Sequence, residues 1–411
     1  MSPDRDDENL ALVNERPAAD EHAEPTVASD PGTEATAPDL PEGDASAGGA
    51  ADAGKRPAGF YLTPRQAFVL IAGVLSVILV ALVLYLLWLS RPADFTEEGG
   101  TPQSGIIPEL AIYGPGTGEK PRFGRPMGSA WSPDGSRIYV ADTQNNRVVV
   151  FDKDGKYLDE FGGFGIAKPL PGSQRTWDPG ELNYPTDVAT DKRGNVYVAD
   201  FYNDSISVFD SRGKFLRRFP DPYQQVGKGS SGQEGGGISV TALTVAGGQV
   251  YATDEFQIFV FTTDGTYVRQ FGKPGSGPGD LDRPGGVAVD SRGRVYVSDS
   301  NHNRVICFSP EGKPVWVTGR KVTELMKETE NPFILPRGIT ILQDGSLLVA
   351  DPLGQQLVKL GEDGKVIATY GTRGTLEGQL NFPNDVASVD DRIVIADREN
   401  DRAQVVRLTE R

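Results

Sequence analysis

RIYVAD (137–142), NVYVAD (195–200), QVYATD (249–254), RVYVSD (294–299), SLLVAD (346–351) and RIVIAD (392–397) are one strand written six times. Each is a β-branched and aromatic run ending in Asp, and the final residues recur at intervals of 58, 54, 45, 52 and 46. Periods of that length mark a stacked repeat whose unit cannot bury its apolar faces alone. Before each lies a shorter strand: RPMGSAW from Arg125, YPTDVAT from Tyr184, SVTALTV from Ser239, RPGGVAV from Arg283, LPRGITI from Leu335 and FPNDVAS from Phe382. Turns such as SPDGS (132–136), DKRGN (191–195) and DSRGR (290–294) join the two, with Gly supplying the positive φ of a tight hairpin.

A third strand follows, as in RVVVFD (147–152), ISVFD (206–210), IFVFT (258–262), RVICFS (304–309) and QLVKLG (356–361). A fourth tends to end in aromatic-Gly: YLDEFG (157–162), YVRQFG (267–272), VIATYG (366–371). Four antiparallel strands make one twisted sheet that packs on its neighbours. The sixth copy stops at its third strand, AQVVRL (403–408), and ELAIYG (109–114) is the candidate for its missing fourth. Pairing the two closes the ring and removes both open edges. The expected fold is all-β, a six-bladed β-propeller over residues 106–411.

The pattern resembles the NHL family, through an Asp-ended strand followed by Asn, then Arg and an apolar residue. DTQNNRV (142–148) and DSNHNRV (299–305) carry it, and DRENDRA (397–403) carries it less well. Ser205, Ile258 and Gln356 stand near where blades two, three and five should have Arg. The resemblance implies a six-bladed propeller that serves as a binding platform. The family also includes extracellular sensor propellers and amidating lyases. The lyases use a His-rich zinc site, which two His residues, His22 and His302, cannot build.

Composition narrows the classes further. The 411 residues hold 50 Gly and 30 Pro, which favours turns over long helices, and one Cys excludes an intramolecular disulfide framework. Residues 1–59 hold 14 Asp/Glu against 4 Lys/Arg, whereas residues 106–411 hold 40 against 35. The net charge of −16 therefore belongs largely to the tail, which reads as a disordered acidic segment. No basic stripe marks the propeller for nucleic acid.

Between the two, Ala67 to Leu89 is 23 residues without a charge. As a helix it would reach about 34 Å, enough to cross the hydrocarbon layer. Its flanks make residues 60–90 a transmembrane unit, with 91–105 as linker. Lys55, Arg56 and Arg65 precede the span and only Arg91 follows closely, so the expected orientation puts the N-terminus in the cytoplasm and the propeller outside.

Candidate chemistry is sparse. The pairs Asp142/Arg147, Asp299/Arg304 and Asp397/Arg402 recur with the repeat and read as braces. Asp152 to Gly155 reads as an Asp-Gly hairpin instead of a calcium loop, and Cys307 as a small buried hydrophobe. Asn203 to Ser205 fits a glycosylation sequon. In the repeat register Asp187 and Asp385 are equivalent, with Thr186, Asn384 and Arg337 beside them, while Gly128, Ala242 and Gly286 stand in other blades.

These residues are expected at one mouth of the channel. The loops after the strand-ending Asp should rim the same mouth with Phe201, Tyr202, Phe256, His302 and Arg398. Three insertions add loops: 163–182 with Trp177, 220–237, and 321–331 with a possible short helix. The expected binding set is thus Asp187, Arg337, Asn384, Asp385, Trp177, Tyr202, Phe256, His302 and Arg398. No cofactor or metal is expected. The reading is a membrane-anchored, extracytoplasmic binding or scaffolding propeller with protein partners. The alternative is a propeller enzyme of lyase or lactonase type acting at the channel.

Overall fold

The computed structural model describes residues 104–116, 122–166, 178–220, 238–318, 320–321 and 331–410, together with 63–65, 70, 72–76 and 79–82. The chain divides into two compact units, Met1–Phe95 and Thr96–Arg411.

In the second unit the strands form six sheets in sequence order. Blade 1 runs Gly128–Trp131, Arg137–Asp142, Arg147–Asp152 and Tyr157–Gly162. Blade 2 is Pro185–Thr190, Val196–Asp200, Ser205–Phe209 and Phe215–Phe219. Blade 3 is Ala242–Ala246, Gln249–Thr253, Ile258–Thr262 and Tyr267–Phe271. Blade 4 is Pro284–Val289, Val295–Asp299, Arg304–Phe308 and Pro314–Val317, with an added pair Arg320–Lys321 that makes it five-stranded. Blade 5 is Ile339–Ile341, Leu347–Asp351, Gln356–Leu360 and Val366–Tyr370. The first strands of neighbouring blades touch all the way round, from blade 1 to blade 6 and back to blade 1. That is a closed ring.

Closure uses both ends of the propeller. Blade 6 is built from Pro383–Val389, Arg392–Asp397 and Arg402–Leu408, and its outer strand is Ile106–Ile112. The pairing runs antiparallel from Ile106 opposite Leu408 to Ile112 opposite Ala403, with a bulge between Pro108 and Leu110. The strand thus starts three residues before the expected 109–114 and ends two before it. Ile106 and Ile112 are buried in the clusters that blade 6 shares with blades 5 and 1. Each pair of neighbouring blades shares such a cluster, which is why the second and third strands are apolar on both faces and not alternating.

The joints match their sequence. Gly135, Gly194 and Gly293 hold φ of 68°, 82° and 78° in the first hairpins. Asp152 to Gly155 is a hairpin turn, with Gly155 N–H donating to the Asp152 carbonyl at 3.0 Å. Cys307 is fully buried, and burial pushes its thiol up to about 12. Asn203 is 1% exposed and donates its amide to Asp200 at 2.9 Å, so the sequon nitrogen is occupied inside the fold.

The tail 1–59 and most of the expected span lie outside the described residues. Among the described residues no helix is long and apolar enough to cross a membrane. Residues 70, 72–76 and 79–82 are helical. Residues 322–330 of the expected 321–331 helix also lie outside the described residues; Lys321 is in a strand and Asn331 is not helical.

Candidate functional site

Each blade ties its loops down through the Asp that ends its second strand. Asp142 accepts from Gly124 N–H at 2.7 Å, from the Asn145 amide at 2.9 Å and from Arg147 Nε at 2.8 Å. Asp397 repeats this with Asn381 N–H, Asn400 and Arg402, all within 2.8 Å. Arg402 is fully buried and spends its other nitrogens on the carbonyls of Thr375, Leu376 and Gln379. In blade 4 the same place is filled by Asp299 with Asp282 N–H, His302 Nδ1 and Arg304. His302 therefore stands where other blades have Asn145, Asn203 and Asn400, as part of the brace. Asp200 lacks an Arg and holds Asn203 and Ser207 instead; burial pushes its carboxyl up to about 7.

The residue just before the Arg position is left-handed: Asn146, Asp204, Asn303, Gln355 and Asp401 have φ between 48° and 55°. Asn and Asp tolerate that conformation best, which accounts for the Asn of the repeat signature. Their side chains also latch one blade to the next. Tyr184 N–H donates to Asn146 Oδ1 at 2.8 Å, Phe382 N–H to Gln355 Oε1 at 2.8 Å, and Arg125 N–H to Asp401 Oδ1 at 3.0 Å. These latches surround the end of the channel where the first strands begin.

Asp187 and Asp385 stand one step further in. Asp187 accepts the N–H of Leu243 in blade 3 at 2.8 Å, and Asp385 accepts the N–H of Ser129 in blade 1 at 2.8 Å. Gly128 lies between them; a Cβ there would come within 2.5 Å of the Asp187 backbone, so only Gly admits this approach. Burial raises both carboxyls, and the neighbouring Asp385 charge raises Asp187 further, well above the usual carboxylate range. Asp385 is pushed up to about 6. Both line an axial cavity of about 280 Å³ that continues past Thr190 and Val389 to Pro133, at the far ends of the first strands. They therefore belong to a space that runs away from the loops after the strand-ending Asp, and not to the mouth those loops rim.

Arg337 and Asn384 do belong to that mouth. The Gly338 N–H donates to the Asn384 carbonyl at 3.0 Å, which ties the first strands of blades 5 and 6 together beside these residues. Asn384 is 6% exposed; its Nδ2 donates to the Met127 carbonyl at 2.7 Å, and its Oδ1 is buried without a partner. Arg337 lays its stem over Gly285, whose absent Cβ would sit 3.3 Å from Arg337 Cγ. Its Nε is buried, and its guanidinium has no hydrogen bond or ion pair among the described residues. Burial lowers its pKa, and the charge of Arg398 lowers it further.

The rim is aromatic. Tyr202 is 61% exposed, with its ring 5.1 Å from Tyr184 and 5.0 Å from Phe201. Arg398 stacks over Phe382 at 5.0 Å and its Nε lies 3.6 Å from Glu399, whereas Arg337 has no ion pair among the described residues. Phe256 is half-buried in the turn after Asp254. Trp177 lies outside the described residues. Sequence reasoning passed over Tyr184 and Phe382 as site residues; their signal was the bulky residue before the Pro of the first strand, held at φ of 62° and 60°.

The fold is a six-bladed β-propeller, and its recurring braces are similar to those of the NHL repeat. A profile for the NHL repeat matches residues 281–308, and one for the SMP-30/gluconolactonase/LRE-like region matches 116–228. Protein brain tumor of Drosophila melanogaster is 28% identical over 162 residues, which is 38% of this chain and 13% of that protein. NHL repeat-containing protein 2 of Gallus gallus is 32% identical over 106 residues, 26% of this chain and 14% of its own length. The chain thus matches only a small part of either relative. A solved streptogramin B lyase aligns over 75% of this chain and 100% of its own, at 14% identity and a TM-score of 0.48.

Proposed function

We propose that this chain is a single-pass, membrane-anchored propeller that captures a protein partner outside the cytoplasm, at the mouth formed by Arg337, Asn384, Arg398 and the Tyr184–Tyr202 rim. The observation that carries the reading is that Arg337 has no counter-charge among the described residues. A largely buried guanidinium without a counter-charge costs stability, and such costs are retained where a ligand supplies the missing partner. Exposed aromatic surface around a buried Arg is the composition of an interface centre. Support for the anchor comes from the sequence of 67–89. In its described part, Leu70, Val74, Leu75, Leu79, Val80 and Leu82 are each more than half exposed, an apolar helical surface that lipid would cover.

Binding without turnover is favoured over catalysis because the two channel carboxylates are engaged with the N–H groups of neighbouring blades. The test is capture from native membranes by the full-length chain. Arg337→Met with Trp177→Ala should lose the captured protein while the propeller stays folded; full capture by this variant would refute the site. Hydrolysis of lactones or esters that disappears in Asp385→Asn would replace binding with the enzyme reading. Sidedness is read by a membrane-impermeant maleimide on Ser46→Cys and Ser211→Cys. Only the second should label in intact cells; the reverse pattern would refute the orientation.

A further inference from the structure

We infer that the groove between blades 5 and 6, on the face opposite the Arg337 mouth, is a second docking site that takes a basic side chain of a partner protein. It uses none of the residues of the proposed function and is tested apart from it.

Five of the six junctions between blades are sealed in one way. A side chain of one blade donates to a carbonyl in the next blade, that of the second residue in the turn joining its third and fourth strands. Arg137 reaches Ser211, Arg217 reaches Thr263 and Arg269 reaches Pro310. Trp316 Nε1 reaches Glu362 at 3.0 Å, and Arg392 reaches Lys153 at 2.9 Å. Glycines of these turns cover the aromatics that end the preceding outer strands: a Cβ on Gly213, Gly265 or Gly312 would lie within 2.8 Å of Phe161, Phe219 or Phe271.

The sixth junction lacks both halves of the seal. No turn joins the third and fourth strands of blade 6, because Arg402–Leu408 and Ile106–Ile112 come from opposite ends of the propeller. Thr409 N–H still donates to the Gly105 carbonyl at 3.0 Å, as Asp152 N–H does to Lys156 at 2.9 Å. Blade 5 also lacks the donor: Ala368 stands where blades 2 and 3 carry Arg217 and Arg269. A groove of about 500 Å³ is left there, bounded by the first hairpins of both blades. Pockets that hold ligands span about 300–1,000 Å³.

The groove has an apolar floor of Leu342, Tyr370, Ile393 and Leu408, and half-buried Leu342 and Leu408 offer it accessible surface. Its charges do not balance. Asp344 is answered by Lys359 at 2.8 Å; Asp391 has Arg407 at 3.2 Å, shared with Glu109 at 2.7 Å. Asp390 is exposed and accepts from the neutral Gln343 amide at 3.1 Å. Neither Asp390 nor exposed Glu410 has an ion pair among the described residues. Excess negative charge beside an apolar floor suits a cation on an aliphatic stem, the side chain of arginine or lysine.

The full-length chain in detergent is titrated with N-acetyl-arginine methylamide and with its norleucine and glutamate analogues, read by calorimetry. The arginine probe should bind about tenfold more tightly than the norleucine probe, and the glutamate probe not at all. Asp390→Asn should weaken the arginine probe about three- to tenfold, and Asp390→Asn with Glu410→Gln should bring it to the norleucine level. Ala368→Arg restores the side chain that seals blades 2 and 3 and should abolish binding of both probes, with Tm reporting that the fold is kept. Arg337→Met should leave probe binding unchanged.

No binding of the arginine probe at about 10 mM, equal binding of the norleucine probe, or full binding by Ala368→Arg overturns the inference. Binding that appears only in Arg91→Met would make the chain's own Arg91 the occupant, and self-association dispersed by the probe would make it a second copy; either result removes the partner. Capture lost through Arg337→Met bears on the proposed function alone.

Discussion

Arg337→Met should make the protein more stable. In the folded chain the Arg337 Nε is buried with no acceptor among the described residues, and burial and the like charge of Arg398 both disfavour the charged form. A buried donor without a partner costs about 1–3 kcal/mol, and a charged one lies at the upper end. Met keeps the stem that covers Gly285 and removes the charge, so the gain should be about 1–2 kcal/mol after some lost contact. For a propeller of this size that is a rise in Tm of about 2–5 °C. A guanidinium stays protonated across the accessible pH range. The gain should therefore be the same from pH 5 to pH 9. Arg337→Lys keeps the charge and should gain nothing. Melting of the full-length protein with calorimetric detection is the assay. A loss of 1 kcal/mol or more in Arg337→Met would show that the residue is a structural partner, and the argument for a ligand would fall with it.

Arg402 should give the opposite sign: Arg402→Met strands buried Asp397 and should cost about 3–5 kcal/mol, read in the same melts. Ile106→Ala should cost about 2–4 kcal/mol, because Ile106 is fully buried where the outer strand of blade 6 closes the ring; a neutral result would refute that closure. Asp385 has its folded pKa raised from 3.8 to about 6, so the folded state holds more protons between those values. Stability should fall on the order of 1–3 kcal/mol from this group as pH rises through that window, and Asp385→Asn should reduce the slope in pH-dependent denaturation without abolishing it, because Asp187 and Asp200 are raised as well.

The blades were legible because a strand buried on both faces has few ways to be written. RIYVAD and its five relatives announce it, and the Asp at each end announces the brace. Ring closure was legible from an incomplete sixth copy, though its bounds shifted because a bulge at Glu109 moves the pairing. The second pair in blade 4, Arg320–Lys321, left no apolar pattern to read.

The site was legible in part. Arg337 and Asn384 stood out by register, but neither the missing counter-charge of Arg337 nor the orphaned oxygen of Asn384 is a property of sequence. Each depends on which backbone groups of adjacent blades come within reach. For the same reason Asp187 and Asp385 looked like mouth residues: register places a residue along its strand, and only the Leu243 and Ser129 N–H groups fix where its carboxylate goes. His302 looked like a rim residue until Asp299 claimed its ring.

The most direct measurement of the central claim is site-specific photo-crosslinking in native membranes. A benzophenone amino acid replaces Tyr202 at the Arg337 mouth, or Arg193 in the hairpin turns at the other end of the channel. Tyr202 should yield one discrete protein adduct that disappears when Arg337→Met is added, and Arg193 should yield none. An adduct at Arg193 but not at Tyr202, or an adduct at Tyr202 indifferent to Arg337→Met, would contradict the account.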